Sequence, residues 1–171
     1  ADSLAGYVHN PIINLTTCLL IFFSGIGYIV WWDVLRVIKQ TRYKKTKLFS
    51  SLTLHSKIAI AVTLILIFAG ALLILIFEYN NEKTIKNYTL LQKIEVSLFQ
   101  SVTTRTAGFA SVPQENLTNA SSVLCLLLMF IGGSPVGTAG GIKTVTFAVV
   151  IASTIALVCN KDDTELFGRR I

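Results

Sequence analysis

The residues best placed to do chemistry are Ser101-Val102-Thr103-Thr104-Arg105-Thr106-Ala107-Gly108-Phe109. They contain a Thr-x-Gly-aromatic turn, and what it offers is backbone rather than side-chain chemistry. Carbonyl oxygens aimed at a common axis can replace the water around a desolvated potassium ion. Glycine reaches positive φ without steric cost, so Gly108 would let the carbonyls of Thr106, Ala107 and Gly108 line such an axis. Thr106 adds a hydroxyl at the inner end, and Phe109 is expected to wedge the turn against surrounding helices. A cation lining the path would repel the ion. Arg105 is therefore expected to point away and bond loop carbonyls or a carboxylate, with a direct electrostatic role in permeation as the alternative.

A second group is Gly132-Gly133-Ser134-Pro135-Val136-Gly137-Thr138-Ala139-Gly140-Gly141, followed by Ile142 and Lys143. Five glycines and a proline in ten residues do not hold a regular helix. Non-helical backbone at membrane depth is tolerated where protein buries it or where it lines a watery cavity, and broken helices mark ion paths in transporters. An ionisable residue inside a membrane segment is a functional candidate, so Lys143 either tunes the path beneath the turn or snorkels to the cytoplasmic interface. A phosphate cradle fits poorly: Ile142 separates Gly141 from Lys143, and no strand precedes the glycines. Enzyme chemistry finds no footing. His9 and His55 are isolated, and Val136 stands where a Gly-x-Ser-x-Gly elbow needs its second glycine.

The elements that must position these residues follow from charge and hydropathy. The 171 residues are 53% hydrophobic and 14% charged, with mean hydropathy +0.66; soluble domains carry about 25% charged residues. Residues 11–32, 58–77 and 117–142 contain no charge. Each run matches the roughly 20 residues of a membrane helix, and backbone amides in lipid must bond internally. The net charge of +6 is concentrated over residues 39–57, where Lys39, Arg42, Lys44, Lys45, Lys47 and Lys57 meet no acid. That places 39–57 in the cytoplasm and 78–90 outside, and suits anionic headgroups of membrane lipid better than nucleic acid, which would want interleaved aromatics. Cys18, Cys125 and Cys159 lack ligand spacing and read as small buried hydrophobes.

Along the chain, the first membrane helix is expected over 11–38, opened by Asn10-Pro11 and closed by Trp31 and Trp32, with Gly25 and Gly27 allowing close helix contact. The second helix is expected over 56–77. Thr89 and Gln92 have capping-box spacing ahead of a helix over 90–102. That helix would be about 20 Å long and reach only partway across a bilayer; an ordinary extracellular amphipathic helix is the competing reading. The segment 120–159 would be about 60 Å as one straight helix, twice the membrane core, unless the glycine-rich stretch breaks it.

Residues 99–109, Phe99-Gln100 followed by the nine residues above, resemble the third pore loop of the Trk/Ktr/HKT potassium transporters. Residues 129–144 resemble the interrupted second helix of the same repeat, and the Ktr membrane subunits match best. This resemblance implies an all-α integral membrane fold of helix–pore loop–helix repeats, with the last helix of this chain interrupted by a Gly-rich loop. It assigns 1–40 to the end of a second pore loop and its following helix, 41–55 to a basic cytoplasmic connection, 56–160 to a complete third repeat, and 161–171 to a cytoplasmic link. On this reading the chain is a fragment of a four-repeat protein. Thr106, Ala107, Gly108 and Phe109 then correspond to a selectivity filter in which Ala110 replaces a second glycine, and 132–141 with Lys143 to an intramembrane gating loop. Val136 and Gly137 depart from the family's common Gly-Ser-Pro-Gly-Ser-Thr form. The implied function is potassium uptake across the plasma membrane, without enzyme activity and without a cofactor, K+ being the transported ion. The implied partners are a second copy of the full-length subunit and a cytoplasmic nucleotide-binding regulatory ring. A non-conducting membrane scaffold and a secondary transporter with a broken helix are the alternatives.

Overall fold

The computed structural model describes residues 3–8, 10–44, 48–105, 107–160 and 163–170. Thr106 lies outside the described residues, as do Lys45 and Lys47 of the basic connection. Among the described residues seven α-helices form: α1 (Pro11–Gly25), α2 (Tyr28–Lys44), α3 (Leu48–Ser51), α4 (Leu54–Glu78), α5 (Leu90–Thr103), α6 (Asn119–Phe130) and α7 (Thr144–Val158).

α4 is the organising element. Its 25 residues extend about 37 Å, enough to cross a bilayer alone. Much of its apolar surface faces outward, with Ile65 64% and Phe68 61% exposed. The helix at the heart of a water-soluble fold would bury that surface. Thr53 caps it, accepting from the Ser56 N–H at 3.3 Å. A column of apolar contacts joins α4 to α1 and α5: Cys18, Ile67, Phe99 and Val102 meet at its middle. Ile26, Val30 and Ala59 meet near its start. Val8, Ile85, Val96 and Val112 form a third cluster beside Leu75.

The expected single helix over 11–38 is corrected to two helices bent by 93°. The corner is Ile26-Gly27, with Gly27 at φ +83°, a conformation glycine adopts freely. A helix end leaves four carbonyls unpaired, and here three of them have donors. Phe22 O accepts from Ile26 N–H at 3.2 Å, Phe23 O from the indole of Trp31 at 3.1 Å, and Gly25 O from Ser134 N–H at 3.0 Å. Trp31 thus folds back onto the corner, while Trp32 stays exposed.

Two carboxylates join alternate helices, α2 to the start of α4 and α4 to the start of α6. Asp33 in α2 accepts from the N–H and hydroxyl of Thr53, both at 2.8 Å, and is ion-paired to Arg36. Glu78, at the far end of α4 and 1% exposed, accepts from the N–H and hydroxyl of Thr118, both at 2.8 Å, and from Thr84 and Asn81. Thr118 caps α6 with Ser121 as Thr53 caps α4 with Ser56.

The link segment is not wholly irregular: strands Glu165–Leu166 and Arg169–Arg170 pair antiparallel around a turn with Phe167 at φ +53° and Gly168 at φ +67°. The Phe167 ring lies 6.2 Å from that of Phe49 in α3, so the hairpin sits at the same end of α4 as residues 48–53. Cys18 and Cys125 are buried as expected, but Cys159 is exposed, because it follows the last turn of α7 where the chain leaves the helix layer.

Candidate functional site

The turn after α5 is held by its own helix. α5 opens where the capping spacing predicts, with Gln92 Oε1 accepting from Thr89 N–H at 3.1 Å. Leu91 (79% exposed) and Ile94 face outward, while the buried face mixes Val96, Phe99 and Val102 with Lys93, Ser97, Gln100, Ser101, Thr103 and Thr104. This face docks on α4: Ser101 Oγ donates to Ile67 O at 2.8 Å, and Arg105 Nη1 to Thr63 O at 3.0 Å. Gly70 makes this approach possible, since a Cβ there would lie 2.5 Å from Ser101 Oγ. Arg105, 7% exposed, therefore bonds a helix carbonyl, where a loop carbonyl or a carboxylate was expected.

Beyond α5, the Ala107 and Gly108 N–H groups both donate to Thr103 O, at 3.1 and 3.3 Å. The Thr103 hydroxyl donates to Phe109 O at 2.7 Å. Gly108 has φ +78°, and a Cβ added to it would meet nothing within 4 Å. Among the described residues, the carbonyls of Ala107 and Gly108 accept no hydrogen bond. Phe109 is 45% exposed, standing on a cavity wall and not wedged between helices of this chain. Just past it, Ala110 pairs with the chain's start: Leu4 N–H donates to Ala110 O at 3.0 Å, and Ala110 N–H to Ser3 Oγ at 3.2 Å.

The glycine-rich segment interrupts the helix where expected, leaving α6 and α7 on either side. Its neck is cinched by a parallel bridge between Ile131 and Ile142. Gly132 N–H donates to Ile142 O at 3.0 Å and Ile142 N–H to Phe130 O at 2.9 Å. Inside, Thr144 N–H donates to Gly133 O at 3.1 Å, and the buried hydroxyls of Ser134 and Thr144 are 3.3 Å apart. Glycine is obligatory at Gly132, where a Cβ would fall 1.6 Å from Gly140 O. Val136 adopts φ +61°, which is strained for a β-branched residue. The Lys143 ammonium turns back to donate to Ala139 O.

The two groups converge. One open cavity of about 570 Å³ is lined by Arg105, Ala107 and Phe109 of the turn, by Thr138 and Ala139 of the loop, and by the Thr17, Ile21 and Ser24 face of α1. Pro135, Val136 and Gly137 reach instead toward the α1–α2 corner, where Gly27 faces the carbonyl of Pro135. Three contributors escaped the sequence reading. The Thr103 hydroxyl had only its position one residue before Thr104 as a signal, and Thr63 acts through a backbone atom. Gly25-Ile26-Gly27 did carry a signal, two glycines inside an apolar run, which is compatible equally with close helix contact and with a break.

Comparison with known proteins identifies the family. The profile of the TrkH family, described as cation transport protein, matches residues 1–171. The Ktr system potassium uptake protein B of Bacillus subtilis is 38% identical over 170 residues, covering 99% of this chain and 36% of that protein. The potassium/sodium uptake protein NtpJ of Enterococcus hirae is 37% identical, with the same coverage of both chains. In fold, the chain superposes on the potassium transporter TrkH from Vibrio parahaemolyticus with a TM-score of 0.73 at 18% identity, over 100% of this chain and 36% of that one. The chain thus spans about a third of the length of these relatives. A family match running from the first residue to the last makes this chain a member of the TrkH family of cation transport proteins.

Proposed function

We propose that the chain supplies one quarter of a potassium-conducting pore, together with the end of the preceding quarter, in a four-repeat uptake protein of the plasma membrane. α4, α5 with its turn, and the broken α6–α7 pair form the third repeat. Residues 3–10 with α1 and α2 form the end of the second. K+ is the cargo, met by the carbonyls of Thr106, Ala107 and Gly108, and 132–141 is a gate beneath them. The observation that carries this reading is that the turn and the loop, 30 residues apart, line the same cavity. Two carbonyls of that turn have no partner within the described chain, and the C-terminal end of α5 points its negative dipole end at them. Residues 39–57 and 161–171 lie on the cytoplasmic side, with 78–90 outside; the Phe49–Phe167 contact at one end of α4 and the Glu78–Thr118 contact at the other support that topology. The outward apolar faces of α4 and α5 meet lipid or the remaining repeats. The name of the Bacillus relative, a Ktr system protein, supports partner subunits. A homodimer on a nucleotide-binding ring is the form proposed.

The test is deletion of 132–141 in the full-length protein, joining Ile131 to Ile142, which already pair. Potassium flux into proteoliposomes rises if the loop is a barrier. A fall in flux with the protein still folded would remove the gate from this reading. Scaffold function predicts no flux from either form.

A further inference from the structure

Two helix breaks from different repeats meet in this structure. The corner between α1 and α2 presses against the middle of the 132–141 loop. A Cβ on Gly27 would lie 2.5 Å from Pro135 O, 3.2 Å from Gly137 N and 3.3 Å from the Val136 carbonyl carbon. From the other side, a Cβ on Gly133 would lie 2.9 Å from Gly25 O, and one on Gly137 would lie 2.8 Å from the same atom. Backbone thus rests on backbone across the contact, and three glycines from two distant segments make room for it. Ser134 N–H completes the join by donating to Gly25 O at 3.0 Å.

The loop's other bonds run inward. Its neck bridge, the Thr144–Gly133 and Gly137–Ser134 backbone bonds, the Ser134–Thr144 hydroxyl pair and the Lys143–Ala139 bond all stay within 130–144. Among the described residues, the Ser134–Gly25 bond is the one hydrogen bond that ties the loop to a segment outside its own two helices. The loop can therefore keep its internal shape and swing as a unit, provided that this single contact opens.

We infer that Gly27 is a positioning residue for the loop, and that the α1–α2 corner is the latch holding the loop across the cavity. The inference rests on the gating role proposed above. Glycine at 27 serves twice: it takes the φ of +83° that turns the corner, and it leaves the space into which Pro135 and Gly137 fit. A methyl group there pushes the loop off Gly25 O. One hydrogen bond and close backbone packing form a weak latch, suited to repeated release. It also joins the second repeat to the third, so that movement of α2 is felt at the gate, with Val145 at the start of α7 packed on the same corner beside Ile26 and Val30.

The experiment is a two-by-two comparison in the full-length protein: wild type, Gly27→Ala, deletion of 132–141, and both changes together, each assayed for potassium flux in proteoliposomes. Gly27→Ala is expected to raise flux by roughly 5-fold or more, the low end of ordinary coupling between sites. In the loop-deleted background the same substitution has nothing to displace and adds no further rise. A substitution that merely damaged the corner would lower flux in both backgrounds, and that result overturns the latch. If deletion of the loop raises flux while Gly27→Ala leaves it unchanged, the gate stands and the latch falls; if deletion gives no rise, both fall. Should Gly27→Ala fail to accumulate as folded protein, its recovery in the loop-deleted background supports the contact, and failure in both backgrounds refutes it.

Discussion

Replacement of Gly108 separates a torsional from a steric account of the turn. The residue has φ +78°, and a Cβ placed on it meets no atom within 4 Å. Size is therefore not what excludes other residues within this chain; the cost is that of holding an L-residue in the left-handed region, about 1–2 kcal/mol. Applied to the geometry that offers carbonyls to the ion, this corresponds to a factor of about 5–30. Asparagine tolerates the left-handed region better than alanine or serine does. In the full-length protein, the preference for potassium over sodium should fall modestly for Gly108→Asn and by the full factor for both Gly108→Ala and Gly108→Ser. Paired potassium and sodium flux measurements in proteoliposomes give the ratio directly. If the loss instead scales with side-chain volume, with alanine mildest and asparagine worst, the space seen here is filled in the complete pore and the torsional reasoning is wrong. Unchanged selectivity in all three variants would remove the turn from ion discrimination.

Val136→Gly removes about 1–3 kcal/mol of backbone strain against about 0.5–1 kcal/mol for the greater freedom of glycine when unfolded. The loop then settles more firmly where it is, and potassium flux through the full-length protein drops; a rise would show that the strain favours the closed form. Glu78→Ala leaves the donors of Asn81, Thr84 and Thr118 without their acceptor, at about 1–3 kcal/mol for each one left unsatisfied. Thermal unfolding in detergent should show a loss larger than that of Glu78→Gln, which keeps one acceptor oxygen. Arg105→Leu removes the tether to Thr63 O, which keeps its in-helix partner, and should lower thermal stability by about 1 kcal/mol, the net worth of one hydrogen bond, with Arg105→Lys recovering part of it; equal melting of all three forms would mean that the tether contributes nothing.

Strong periodic or compositional signals were readable in the sequence. The uncharged run 58–77 and its exits at Lys57 and Glu78 became α4, and the glycine-rich stretch became the gap between α6 and α7, because five glycines and a proline leave no other outcome. The half-length α5 was readable from the capping pair Thr89 and Gln92 and from the polar return that follows it. The 93° corner was hidden because its flanking residues are apolar on both sides, so hydropathy continues smoothly through a break that only backbone torsion records. The short hairpin at 165–170 was hidden because four paired residues are too few to form a pattern. In the candidate site, positions defined by special φ were found from glycine itself, as at Gly108. Those defined by a partner distant in sequence were not: nothing near Gly25 points to Ser134, 109 residues on.

The Asp33–Thr53 and Glu78–Thr118 joins do more than close two corners. At each, the amide of a helix start is already bonded by a carboxylate from two helices earlier, so that amide does not depend on bulk water for its hydrogen bond. A carboxylate that answers a helix start cannot follow it into hydrocarbon without cost, so the two joins mark where the apolar length of α4 begins and ends.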